Sequence, residues 1–202
     1  MQDSYKMSDN RFAKIVSTIT HPPIISIPTF VILNYFLAAS DKLLVSTSIC
    51  LIFGAFLPIL TSLILIKKMD TDLDITDRTK RTLPLLLAIC SYFIGSLVLY
   101  LINAPSIITA LMLIYGVNTL IILLINFYWK ISIHAMGIAG PTAAFAFTFG
   151  VPGLLLGIII PFVMWSRVKL NKHIVSQVIA GTVLGLFLTW AQLSFYVPLI
   201  QV

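Results

Sequence analysis

Four residues near the C-terminal end of the chain combine side chains that are suited to phosphate chemistry. Ser166 and Arg167 end a long apolar run, and His173 and Gln177 open the next one. Because His173 and Gln177 are four positions apart, they share one face of a helix, and the amide can reach the imidazole. Ionisable groups placed where a hydrophobic helix meets water predict a functional site.

Two earlier segments carry the same kinds of side chain beside apolar runs. One segment contributes Lys130, Ser132 and His134, and the other contributes Arg78, Lys80 and Arg81. Phosphoryl transfer needs cations for the equatorial oxygens, a nucleophile and an acid for the leaving oxygen. Arginine donates bidentate hydrogen bonds to phosphate, and one histidine can attack phosphorus while a second protonates the leaving alkoxide. This chemistry requires no metal and no cofactor.

The composition is that of an integral membrane protein. Of the 202 residues, 59% are hydrophobic and 10% are charged, whereas an average soluble domain has about 25% charged residues. A spanning helix needs about 20 mostly apolar residues, and four runs reach that length: residues 22–40, 43–66, 84–102 and 107–129.

The run over residues 135–165 is too long for one spanning helix, because it would measure about 45 Å against a hydrocarbon core of about 30 Å. Gly150-Val151-Pro152-Gly153 offers a turn near its middle, so we predict two short helices there and a last helix over residues 172–197. The expected fold is an all-α polytopic membrane helix bundle with about six to seven transmembrane helices. A polar N-terminal segment, residues 1–21, precedes a single transmembrane domain, residues 22–202.

Hairpins between these helices bring the N-terminus and the polar segments 67–83, 130–134 and 166–173 to one side of the membrane. Every Lys and Arg except Lys42 falls on that side. The positive-inside rule therefore predicts that the site faces the cytoplasm, and we expect the plasma (inner) membrane of a prokaryote.

The last of these segments resembles the third motif of the type 2 phosphatidic acid phosphatase superfamily, SRxxxxxHxxxD. Ser166, Arg167 and His173 match that motif at the right spacing, and Gln177 stands where the family has aspartate. The family contains integral-membrane and soluble enzymes that work through a phosphohistidine intermediate.

The other two motifs of the family are matched in part. Ser132 and His134 keep the serine and histidine of PSGH. Arg81 meets the arginine of KxxxxxxRP, with Pro84 two residues late and Asp74 at the lysine position.

The resemblance implies a role for each matched residue. His173 would be the nucleophile, held by Gln177, and His134 the general acid. The phosphate would be held by Arg81, Ser132, Ser166 and Arg167, and Arg78, Lys80 or Lys130 could replace the missing lysine of the first motif.

Gln177 is the main departure from the family. A glutamine can hold the imidazole tautomer but cannot stabilise the developing imidazolium as a carboxylate does, and loss of the carboxylate from a serine protease triad costs about 10⁴ in rate. Asp70, Asp72, Asp74 or Asp77 could supply the charge from the acidic loop.

These features predict a phosphatase-like domain that hydrolyses a lipid phosphate or a polyprenyl diphosphate without a metal. The apolar chain of the substrate would lie between helices, and polyprenyl diphosphate is favoured because the compact site suits a small headgroup. The partners are then membrane lipids and the lipid or polyprenyl phosphate substrate, with no nucleic acid; the oligomeric state is left open.

Two alternatives remain open. One is a catalytically weak or inactive protein that binds lipid phosphates, and the other is a magnesium-dependent intramembrane prenyltransferase that uses the acidic loop over residues 70–77. Lys169 and Lys172 also fit interfacial anchors, and His21, Tyr128, Trp129 and Trp165 fit the membrane interface.

Overall fold

The computed structural model describes residues 2–69 and 77–200, without the side chains of residues 2–9, 69 and 78. Every regular element in those ranges is helical, so the all-α prediction is confirmed. The α-helices are α1 (Gln2–Ile19), α2 (Pro22–Leu37), α3 (Ser40–Leu51), α4 (Leu57–Met69), α5 (Thr82–Leu101), α6 (Ser106–Asn126), α7 (Ile133–Phe149), α8 (Ile159–Lys169) and α9 (Val175–Ile200). A π turn, Ile52–Phe56, joins α3 to α4, and 3₁₀ segments, Arg78–Arg81 and Val151–Ile158, precede α5 and α8.

Five helical stretches of this described part are long and apolar enough to cross a membrane. They are Ser40–Lys68, Thr79–Leu101, Ser106–Asn126, Val151–Lys169 and Val175–Ile200. The end of α1 and the whole of α2 together make a sixth candidate, bent by 51° at the helix junction. Helix α7 is apolar but shorter than a span, as the sequence predicts for the first half of the long run.

The turn between α7 and α8 depends on two glycines. Gly150 has φ +67°, a conformation that costs other residues energy because of their Cβ. A Cβ on Gly153 would lie 2.1 Å from the carbonyl oxygen of Phe145, so only glycine allows this close approach. The hairpin predicted at residues 150–153 is therefore present, and it folds Val151–Lys169 back along α7.

Helices α7 and α9 pack along a seam of small residues. A Cβ on Gly181 would lie 2.5 Å from the Ser132 carbonyl oxygen, and one on Gly185 would lie 2.7 Å from the Ala139 Cβ. Small residues let membrane helices approach closely. The two helices start side by side, and the Ser132 amide donates to the Gln177 carbonyl at 3.3 Å.

The N-terminal segment also belongs to the bundle. Helix α1 packs against α8, and the rings of Phe12 and Trp165 lie 5.7 Å apart between their centroids. The bend before Pro22 then turns the chain from α1 into α2. The N-terminal segment, which the sequence predicts to precede the transmembrane domain, thus packs against α8, the helix that carries Arg167.

Candidate functional site

One cavity of about 120 Å³ brings together four of the residues that the sequence analysis selects. Arg81, His134, Arg167 and His173 all line it. They come from three segments that are far apart in sequence: the 3₁₀ segment before α5, the start of α7, and the end of α8 with the turn that follows it. Proline and apolar side chains of α2, α4 and α5 complete the wall.

The turn after α8 fixes His173 relative to Arg167. The Lys172 amide donates to the Arg167 carbonyl, and the Asn171 amide donates to the Val168 carbonyl, both at 3.0 Å. Asn171 has φ +53°, so this is a Schellman motif with asparagine at its left-handed position. The spacing between Arg167 and His173 in the sequence is therefore set by the geometry of a single helix C-terminus.

Gln177 orients the imidazole of His173. Its Oε1 lies 3.0 Å from Nδ1 of His173 and accepts a second hydrogen bond from the Ile174 amide at 3.2 Å. Because the Ile174 N–H donates to the same atom, that atom is the amide oxygen, and Nδ1 must donate to it. The lone pair of the neutral imidazole is then on Nε2.

His173 is buried, with 6% of its surface exposed. Burial lowers its pKa to about 4; the hydrogen bond to Gln177 opposes this shift, and the charges of Arg167, Arg81 and Lys130 add to it. The imidazole is therefore neutral at pH 7, which is the state that a nucleophile needs.

The two arginines make the cavity electropositive. Arg81 is 4% exposed and Arg167 is 1% exposed, and the Nη1 of Arg167 donates to the Ser17 hydroxyl of α1. Two guanidinium groups that line one small cavity attract an anion into it, and their planar forks match phosphate. No sequence pattern marked Ser17, because its link to Arg167 exists only after α1 has docked on α8.

His134 lies in the first turn of α7, where Ser132 caps the helix. The Ser132 hydroxyl accepts from the Ala135 amide at 3.4 Å. The ring of His21 meets the ring of His134 edge-on, with centroids 5.2 Å apart, and His21 lines the cavity as well. The sequence suggests only an interfacial role for His21, because its approach to His134 is a tertiary contact between distant segments.

The other predicted residues that the structure describes are not among those that line the cavity. Ser132 and Ser166 are fully buried, and the Ser166 hydroxyl donates to the Val163 carbonyl at 2.8 Å. Lys130 and Gln177 are half-buried and Lys80 is exposed. The side chain of Arg78 and the loop with Asp70, Asp72 and Asp74 lie outside the described residues.

Asp77, the last residue of the acidic loop, serves a local role in the structure. Its carboxylate accepts from the Thr79 amide at 3.0 Å and from the Thr79 hydroxyl at 2.8 Å, which caps the segment that leads to Arg81. Within residues 2–69 and 77–200, no group of three or more His, Cys, Asp or Glu could hold a metal ion.

The fold and the cavity define a helical membrane protein with a basic pocket that contains histidines. No protein-family model, curated protein or solved structure matches the chain. The resemblance to the type 2 phosphatidic acid phosphatases therefore rests on the motif residues themselves.

Proposed function

We propose that the protein is an integral membrane phosphatase that hydrolyses a lipid phosphate or a polyprenyl diphosphate through a phosphohistidine. One observation carries the proposal: His134, His173, Arg81 and Arg167, from three distant segments, line one cavity inside an apolar bundle. A pocket with two arginines suits a phosphate, and two histidines provide the nucleophile and the acid.

In the proposed reaction, Nε2 of His173 attacks phosphorus while Arg81 and Arg167 bind the equatorial oxygens. The bond from phosphorus to the leaving oxygen breaks, and His134, which takes up a proton when the anionic substrate binds, donates that proton to the leaving oxygen. Water then attacks phospho-His173, His134 takes a proton from the water, and inorganic phosphate leaves. With a diphosphate, the leaving group is the lipid monophosphate.

Phosphate release by the purified protein in EDTA tests this proposal. The substrates are phosphatidate, phosphatidylglycerol phosphate and a polyprenyl diphosphate, and we favour the last for its small headgroup. His173→Ala should lower release by about 10³ or more, and Arg167→Ala by about 10²–10³. Lys42→Ala, at the opposite end of the bundle, is the matched charge control. Release that survives in His173→Ala, or that requires magnesium, would overturn the mechanism.

Gln177 favours a second candidate function, the binding of lipid phosphates without turnover. An amide leaves the imidazolium that forms during the reaction without a carboxylate partner. Binding of a radiolabelled lipid phosphate distinguishes the two: a binding protein retains the intact lipid, with retention lost in Arg167→Ala. The enzyme instead releases labelled inorganic phosphate.

A further inference from the structure

A second and larger cavity, of about 520 Å³, adjoins the first. Both are lined by His21, Ser62 and His134, so they meet at the histidines. We propose that this second cavity is a lateral portal: the hydrocarbon tail of the lipid phosphate passes through it, between α4 and the junction of α1 with α2, into the bilayer. The inference rests on the proposed function and names the part of the protein that takes the tail.

The portal exists because α4 makes few contacts with α1 and α2. Helix α2 packs against α3 and the π turn, whereas α4 packs against α5 and makes few contacts with α2. A π turn inserts an extra residue into a helix and changes its direction. Within residues 2–69 and 77–200, few residues of α2 therefore reach α4 beyond Ile52–Phe56.

The wall of the portal changes from basic to apolar. Lys14 and Lys172 line one part, and Ile24, Ile59 and Leu63 line another. Leu63 lies one turn before Lys67, so it is deeper in the bilayer than the charged end of α4. Ile24 is 37% exposed and Leu63 is 50% exposed, and both are open to lipid.

This arrangement fits an amphiphile better than a water-soluble phosphate ester. The lysines attract an anionic headgroup to the level of the lipid headgroups, and the isoleucines and the leucine contact hydrocarbon. A soluble ester would need only the basic part. The occupant is therefore one chain of a lipid phosphate, whose headgroup reaches His134 and His173 without leaving the membrane.

Kinetics with two chain lengths test the portal. Leu63→Trp and Ile59→Trp fill the portal, so KM for a long-chain lipid phosphate should rise at least about tenfold. A change of that size corresponds to about two methylene groups of the tail that are no longer buried. A short-chain, water-soluble phosphate should react unchanged. The control is Ile64→Trp, since Ile64 is 48% exposed, neighbours Leu63 and does not line the portal.

Photocrosslinking tests the same portal without turnover. A photoreactive residue at position 63 should capture radiolabelled long-chain phosphatidate, and excess unlabelled phosphatidate should compete while phosphatidylcholine should not. A photoreactive residue at position 64 should capture only bulk lipid, so unlabelled phosphatidate and phosphatidylcholine should compete equally well. Lys14→Ala should weaken the selective capture at position 63.

The outcomes separate the portal from the proposed function. Equal capture and equal competition at positions 63 and 64 overturn the portal, whether or not the protein releases phosphate. Selective capture at position 63 without phosphate release from any substrate supports the portal and overturns the phosphatase.

Discussion

At position 177 an amide stands where the phosphatase motif has a carboxylate. Its oxygen already accepts from Nδ1 of His173 and from the Ile174 amide, so the hydrogen-bond geometry of the motif is complete. What the amide lacks is charge. Glutamate has the length of glutamine, so Gln177→Glu restores the charge without moving the oxygen. The shorter side chain of aspartate would not place a carboxylate oxygen at the same position.

We predict that Gln177→Glu raises kcat by at least about tenfold, because a carboxylate stabilises the imidazolium that forms in the reaction. The pKa of His173 is about 4, so kcat/KM of the native protein should fall as the pH falls through 4, where the nucleophile becomes protonated. A carboxylate beside the imidazole raises its pKa by about 1–3 units, so the acid limb should move to higher pH. Pre-steady-state and pH-rate measurements on one substrate check both effects.

The control for this prediction is Gln177→Met, which removes the acceptor and should lower kcat. An acid limb that stays in place in Gln177→Glu would show that His173 does not govern the pH dependence. Because all variants use the same substrate, ionisation of the substrate contributes equally to each profile.

The residues of the site differ in how far the sequence determines them. Arg167 and His173 can be found from sequence because a single helix C-terminus fixes their spacing. Ser17 and His21 cannot, because their contacts with Arg167 and His134 join segments more than 100 residues apart. Local geometry leaves a pattern in the sequence, whereas a tertiary contact between single polar residues does not.

Among the helices, the close contact between α7 and α9 sets the positions of both histidines. His134 lies at the start of α7, and His173 lies two residues before α9. Gly181 touches the Ser132 carbonyl from the neighbouring helix. Any side chain at position 181 must therefore push the two helix starts, and with them the two histidines, apart.

Gly181→Ala should cost about 1–3 kcal/mol of stability by overpacking and lower kcat/KM by about 10², as expected when catalytic groups shift by about 1 Å. Gly150→Ala should cost about 1–2 kcal/mol through its left-handed backbone and leave kcat/KM unchanged, since Gly150 lies at the other end of α7. Thermal unfolding and kinetics of both variants check this contrast. Equal losses of activity in the two variants would contradict the packing argument.

A buried polar network joins α6 to α9 inside the bundle. Asn118 donates to the Thr189 hydroxyl at 3.0 Å, and Gln192 donates to Asn118 at 2.8 Å. Thr189→Val should lower the free energy of unfolding by about 0.6 kcal/mol, the mean for hydrogen bonds between membrane helices. Thr182→Val is the control, because the Thr182 hydroxyl donates to the Val178 carbonyl of its own helix. An equal loss of stability in Thr182→Val would show that removing any hydroxyl from α9 has this effect, and that the bond between α6 and α9 is not its cause.

Helix positions were predictable from apolar runs because each run must match the bilayer thickness. The turn at Gly150 and Gly153 was predictable for the same reason, since an uninterrupted helix would be too long. The packing of α1 on α8 and the π turn at Ile52–Phe56 were not. Both depend on how side chains of other helices fit, which hydrophobicity along the chain does not encode.

At the scale of the whole molecule, charge is distributed unevenly between the two ends of the bundle. By the topology predicted from the sequence, every Lys and Arg except Lys42 belongs to the end that carries the site. Lys42 donates to the Asn103 carbonyl at the other end at 3.0 Å. Phosphate binding accounts for Arg81 and Arg167, but not for Arg11, Lys67 and Lys68. These three bases give the positive-inside rule a signal that is independent of the site.

Cysteine labelling in intact cells tests the resulting topology. In a background with Cys50→Ala and Cys90→Ala, single cysteines at Tyr128 and Asn171 mark the site end, and those at Ser40 and Val151 mark the opposite end; all four residues are exposed. A membrane-impermeant maleimide should label positions 40 and 151 in intact cells, and positions 128 and 171 only after permeabilisation. Reversal of all four would place the site outside the cytoplasm. Labelling of 128 and 171 from opposite sides would break the α7–α8 hairpin and separate His134 from His173, which the common cavity does not allow.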